Sequence, residues 1–342
     1  MSNTQGPSTT TVIQTAMDED VSTGGFSAFL RRQAQQSLAW GTLIVMVLFF
    51  SIFGNNFFTW SNISGILLST AVIGILALGT TFVIVTGGID LSIGTGMTLA
   101  SVMTGILITN MGLPVWVGII GGIGTGVLMG LINGLNVTFL GLPPFIATLA
   151  MMLIAQGLAL IISGVAPIYF AASAPNFKDL ALGTLIPGLP NAVLIILLLA
   201  VLSFIVLTKT VLGRFTFAIG SNEEATRLSG VNTRRWKILV YMFAGAFTGI
   251  AGVVLAARLD SAQPQLGVGY ELQAIAAVII GGTSLLGGRG SILGTVIGAL
   301  IMGVLVNGLR IMSIPTQWQF VLTGLVILIA VYFDTLRNRS RK

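Results

Sequence analysis

The chain contains no cysteine and no histidine. A disulfide framework, a thiolate nucleophile, a histidine-bearing metal site and a histidine proton relay are all excluded. Charge is scarce: Asp, Glu, Lys and Arg make up 8% of the residues, against about a quarter in soluble domains, whose surfaces need them. Between Gln33 and Phe177 the single charged residue is Asp90. No Gly-Lys pair occurs in the 342 residues, so no G-x-x-x-x-G-K-[ST] loop is present to cradle phosphates. A chain this poor in charge has hydrocarbon, not water, against most of its outside. The fold class that follows is all-α, a polytopic transmembrane helical bundle.

What is abundant supports that reading. Hydrophobic residues reach 54% and there are 44 glycines, well above the average usage of about 7%. Glycine at this level suits tight helix–helix contact in lipid, where small residues let backbones approach. The net charge of +6 is read as anchoring at the membrane surface, not as nucleic-acid binding, because most basic residues flank apolar runs. A membrane-centre carboxylate costs about 2.5–3.5 kcal/mol on insertion scales, so a retained one is a functional candidate. Asp90 lies in Thr86-Gly-Gly-Ile-Asp-Leu-Ser-Ile-Gly94, where Gly87, Gly88 and Ser92 suggest bent backbone with a polar group at the bend. Three roles stand for Asp90: accepting N–H bonds of the bend, which is favoured, pairing with a distant cation, or contacting substrate.

Ten apolar stretches approach the roughly 20 residues that span hydrocarbon: 38–54, 63–86, 91–110, 115–136, 144–165, 190–208, 238–258, 270–287, 291–309 and 317–333. The glycine-interrupted regions 86–96 and 280–290 are expected to be broken or re-entrant helices. Ten crossings place both termini on one side. With the termini cytoplasmic, every Lys and Arg except Lys178, Arg258 and Arg310 falls inside, as the positive-inside rule demands. Residues 1–37 read as a disordered cytoplasmic tail without a cleaved signal. Residues 38–335 form the membrane domain, with a cytoplasmic loop over 209–237, and 336–342 a basic cytoplasmic tail.

Gly118, Gly122, Gly126, Gly130 and Gly134 recur at every fourth position and make one smooth helical ridge, read as internal helix packing in preference to a dimerisation face. A weak internal echo joins Gly87-Gly88 and Gly94-Thr95 to Gly287-Gly288 and Gly294-Thr295. On the cytoplasmic loop, Asn222 can cap a helix whose first turn is Glu223-Glu224-Ala225, with Gly230 as its stop. Such a helix either docks on a soluble partner or is an ordinary solvated loop.

At this point the residues resemble a family. Glu224-Ala225 with Gly230 six positions on is similar to the EAA-type coupling loop of ATP-binding-cassette importer permeases. Thr226 and the lack of a downstream Leu-Pro depart from the fuller pattern and point to the ribose and monosaccharide branch. Residues 86–94, 144–152, 257–264, 269–277 and 281–288 resemble that branch too, and the likeness covers about 38–335. It implies a permease working as a pair, most simply a homodimer, in the bacterial inner membrane. It also implies separate ATPase subunits holding ATP and Mg on the cytoplasmic side, a periplasmic sugar-binding protein, and no cofactor or catalysis on this chain. The coupling loop would then be Asn222, Glu223, Glu224, Ala225, Arg227 and Gly230. Thr148, Gln156, Thr283 and Ser284 are candidate path linings, each equally readable as an interhelical hydrogen bond. Arg258, Asp260 and Glu271 are candidates for binding-protein docking at the outer face. The rival readings are an ion-coupled secondary transporter using Asp90 or Glu271 and a structural membrane scaffold.

Overall fold

A computed structural model describes residues 39–339; the tail expected over 1–37 and the last three positions, 340–342, lie outside the described residues. The described chain is mostly helical: α1 Ala39–Phe53, α2 Trp60–Val85, α3 Ile93–Gly105 with a π-helical turn at Ile106–Asn110, α4 Val115–Thr138, α5 Pro144–Ser163, α6 Asp179–Leu182, α7 Asn191–Lys209, α8 Val211–Ser221, α9 Glu223–Leu228, α10 Thr233–Leu259, α11 Tyr270–Ile280, α12 Ile292–Ile311 and α13 Thr316–Arg339. Seven of these are long and apolar enough to cross a membrane, while α1, α11 and the stretch Thr316–Ile329 are shorter apolar helices. The protein is a multi-pass membrane protein. The departure from an all-α chain is small: β1 Ile168–Tyr169 pairs antiparallel with β2 Ser261–Ala262. It forms because the 166–189 loop and the turn after α10 run side by side in extended conformation. Helix α13 carries on through Arg339, into the basic stretch that begins at 336.

Chain punctuation follows local chemistry. Thr59, Thr210, Asn222, Asn232 and Ser291 cap the helices that follow them with a side-chain oxygen, supplying an acceptor to amides that have no partner within the helix. Pro114, Pro143, Pro190 and Pro315 precede α4, α5, α7 and α13, where a missing N–H costs nothing. Inside the helices, hydroxyls return to the carbonyl one turn back, as in Thr80 to Leu76 at 2.9 Å and Thr104 to Ala100 at 2.9 Å. Hydrocarbon offers no other partner.

Helix α2 is apolar all round and forms the centre: from Thr70 to Val85 every residue is buried, and α7, α10, α11 and α12 pack on it. Helices α4, α5 and α7 are buried on one side only, and their outer faces carry residues such as Leu153, Ile161, Leu198 and Val201. The glycine ridge of α4 is spent within the chain. A Cβ on Gly126 would lie 2.6 Å from the nitrogen of Gly249, and one on Gly134 2.9 Å from Cα of Ile238. Backbone therefore meets backbone along the α4–α10 contact, the most extensive between helices among the described residues, as small-residue seams in lipid allow.

Candidate functional site

Two helical breaks organise the centre. Helix α2 ends at Val85 and the chain turns through 86–92 before α3; helix α11 ends at Ile280 and the chain turns through 281–291 before α12. The stretch predicted over 270–287 is thus helical only to Ile280. Gly87 and Gly287 adopt the same left-handed backbone, φ 80° and 81°, which a side chain would strain. The echo between these glycine pairs is also spatial, since a Cβ on Gly287 would lie 2.9 Å from the nitrogen of Gly87. The correspondence does not extend to the threonines of the helices that follow: Thr295 of α12 meets the Thr81 hydroxyl of α2 at 2.8 Å, whereas Thr95 of α3 donates to the Met152 carbonyl of α5 at 2.9 Å.

Within the first break Asp90 is buried. Its Oδ1 accepts the N–H of Ser92 at 2.9 Å and the Ser92 hydroxyl at 2.6 Å. The Ser92 oxygen in turn accepts from Asn133 Nδ2 of α4 at 2.8 Å. On the other side Thr148 of α5 accepts the N–H of Leu91 at 3.1 Å, and its hydroxyl reaches the carbonyls of Pro144 at 2.9 Å and Ile89 at 3.2 Å. Tyr241 of α10 closes the third side, fully buried, its hydroxyl 2.8 Å from where a Cβ on Gly88 would stand. The loop is thus bound to α4 and α5 through side chains and packed against α10. Polar residues that the sequence left unremarked, Asn133 and Tyr241, complete it; their only signal is a carboxamide and a phenol inside apolar helices.

The other path candidates lie differently. Thr148 and Thr283 are fully buried in the single chain, and the Thr148 hydroxyl is engaged with the loop. Ser284 is buried in the second break, where it accepts the Leu286 N–H at 3.3 Å. Gln156 is half-buried on α5, about two turns beyond Thr148.

The second break reaches both α2 and the segment that leads from α8 into α9. The N–H of Gly288 donates to the Val85 carbonyl at 2.9 Å. Gly220, at the end of α8, lies against this pair: a Cβ there would be 2.6 Å from the Gly288 nitrogen. Directly after it, Asn222 accepts the Ala225 N–H at 2.9 Å and starts α9. Glu223 pairs with Lys237 of α10 at 3.0 Å, and Glu224 with Arg227 at 3.9 Å. Gly230 ends the segment at φ 85° with open space around it. Every α9 residue except Thr226 is exposed, and Leu228 presents 79% of its surface. The segment is a short, polar, capped helix with one exposed leucine.

At the opposite ends of α10 and α11, the three proposed docking residues do not pair with one another. Arg258 donates to Ser69 at 3.1 Å. Asp260 caps α10 in the left-handed region, φ 50°. Glu271 is buried, and both of its oxygens lie 3.0 Å from the Gly269 N–H, so it starts α11 and is not part of an exposed rim.

Comparison with known proteins decides the family. The permease family described as "Branched-chain amino acid transport system / permease component" matches residues 62–331. The chain belongs to this family of transport permeases. It is 43% identical over 296 residues to a ribose import permease of Bacillus subtilis, covering 86% of this chain and 91% of that one. It is 40% identical over 301 residues to a fructose import permease of Rhizobium meliloti, covering 85% and 84%. It is 35% identical over 329 residues to a D-allose transport system permease of Escherichia coli, covering 92% and 100%. No solved structure gave a significant match. A permease component moves solute without chemistry of its own, which agrees with a chain that lacks a phosphate loop.

Proposed function

We propose that the protein is the membrane-spanning subunit of an ATP-driven importer for a neutral monosaccharide or a related polyol, acting in the bacterial inner membrane. Two copies form the path, ten segments cross the membrane in each, and both termini face the cytoplasm. A separate ATPase carrying ATP and Mg docks against α9, and a periplasmic binding protein delivers the sugar at the outer end, where Arg258 and Asp260 lie.

The observation that carries this reading is the placement of α9. It is exposed on almost all sides, yet it starts three residues after Gly220, which packs on Val85 at the end of α2 and on Gly287 and Gly288 of the second break. A push on α9 therefore reaches the centre of the bundle without a long lever, the kind of element that an alternating-access cycle needs. The sugar class rests on the relatives, whose names give ribose, fructose and D-allose. The ion-coupled alternative is the poorer fit, because Asp90 is engaged by Ser92 and Glu271 by the Gly269 N–H, which leaves neither as an open ion ligand. The direct test is association: the permease should retain its cognate ATPase on purification in detergent, and Leu228→Asp should release it. Full retention by that variant would contradict docking at α9.

A further inference from the structure

We infer that Gly220 is a positioning residue for coupling: it holds the two helical breaks and the root of α9 as one junction that stays closed throughout transport. This inference rests on the docking of a partner at α9.

Three segments far apart in sequence meet here as bare backbone. The last carbonyl of α2, on Val85, accepts the N–H of Gly288 at 2.9 Å. Gly220 lies over that hydrogen bond, with its Cβ position 2.6 Å from the Gly288 nitrogen and 2.9 Å from the Val85 carbonyl carbon. The Gly220 carbonyl is 2.9 Å from the Cβ position of Gly287, and a Cβ on Gly288 would lie 2.8 Å from the Ser221 hydroxyl. Gly287 and Gly288 both need left-handed backbone, φ 81° and 71°, so the second break cannot relax by a small rotation to admit a side chain. A methyl group on Gly220 must therefore separate α8 from the Val85–Gly288 pair.

A second route joins the same parts. Glu223 of α9 is paired with Lys237 of α10 at 3.0 Å. Tyr241 follows four residues later, on the same helical face, and its hydroxyl abuts Gly88 in the Asp90 loop. Movement of α9 thus reaches that loop from two sides, through the Gly220 junction and through α10. Because the contacts at Gly220 are backbone to backbone, the junction has no side-chain slack to absorb the movement.

Two measurements test this. In the assembled transporter with its ATPase and loaded binding protein, Gly220→Ala should leave membrane insertion and ATPase association intact and lower sugar imported per ATP hydrolysed about tenfold. Gly157→Ala, where a methyl group meets nothing within 4 Å, should leave that ratio unchanged. In the wild-type transporter, hydrogen exchange at the Gly288 amide should be equally slow in the nucleotide-free state and in the state trapped with a nonhydrolysable ATP analogue. A wild-type ratio in Gly220→Ala would overturn the inference. So would an amide that exchanges about tenfold faster in either state, a result that stands even if the variant fails to insert. Failure of docking is read separately, from ATPase association in Leu228→Asp.

Discussion

The hydroxyl of Thr148 accepts the N–H of Leu91 at 3.1 Å, which fastens the first helical break to α5. Thr148→Val keeps the shape and removes the acceptor, leaving the half-buried Leu91 amide without it at a cost of about 1 kcal/mol. The purified variant should unfold at lower temperature, while Thr148→Ser should stay near the wild-type midpoint. Equal midpoints for Val and wild type would show that the tether carries no stability.

Asp90 calls for a graded response. Asn can still accept from the Ser92 N–H, so Asp90→Asn should insert normally and retain partial uptake. Asp90→Leu deprives the Ser92 N–H and hydroxyl of their acceptor and should lower the yield of folded protein. Abolished uptake in Asp90→Asn together with loss of a dependence on the proton gradient would favour the ion-coupled mechanism instead.

At α9 the expectation separates assembly from stability. Glu224 is exposed, so Glu224→Lys should leave insertion unchanged. It places a cation at the start of the helix and within the proposed docking surface, and uptake should be lost. Wild-type transport in this variant, measured as labelled sugar retained by cells, would remove α9 from the coupling role.

The membrane class and the helix positions were legible because charge depletion and long apolar runs are strong, local signals: the seven long apolar helices all fall on predicted stretches. The break after Val85 was legible from Thr86–Gly94 for the same reason. Contacts between distant segments were not. The Asn133–Ser92 hydrogen bond joins residues 41 positions apart, and nothing in the pattern of α4 marks Asn133 over Asn136. Gly220 reads only as a residue inside the 209–237 loop, although its surroundings are set by Val85 and Gly288. The small β1–β2 pair depends on two loops that lie side by side only in the folded chain. Glu271 reads as a docking candidate because its place near Arg258 and Asp260 is visible in sequence, whereas its turn onto the Gly269 N–H is not.

Two neighbouring glycines on α4 give an internal control. A side chain on Gly126 runs into the backbone of α10, whereas Gly124 meets nothing within 4 Å. Gly126→Val should destabilise the bundle by about 1–3 kcal/mol or more through overpacking, and Gly124→Val should be neutral. Thermal unfolding of the two variants in detergent distinguishes a packed seam from a lipid-facing helix; equal midpoints would contradict the α4–α10 contact.

In the proposed importer, this chain conducts sugar only when a partner hydrolyses ATP. The most direct measurement is sugar accumulation in proteoliposomes containing the permease alone or with its ATPase and sugar-loaded binding protein, at zero ion gradient, with and without ATP. Accumulation of a neutral monosaccharide or polyol is expected only in the complete system with ATP. Accumulation by the permease alone under an imposed proton or sodium gradient, without ATP, would contradict it.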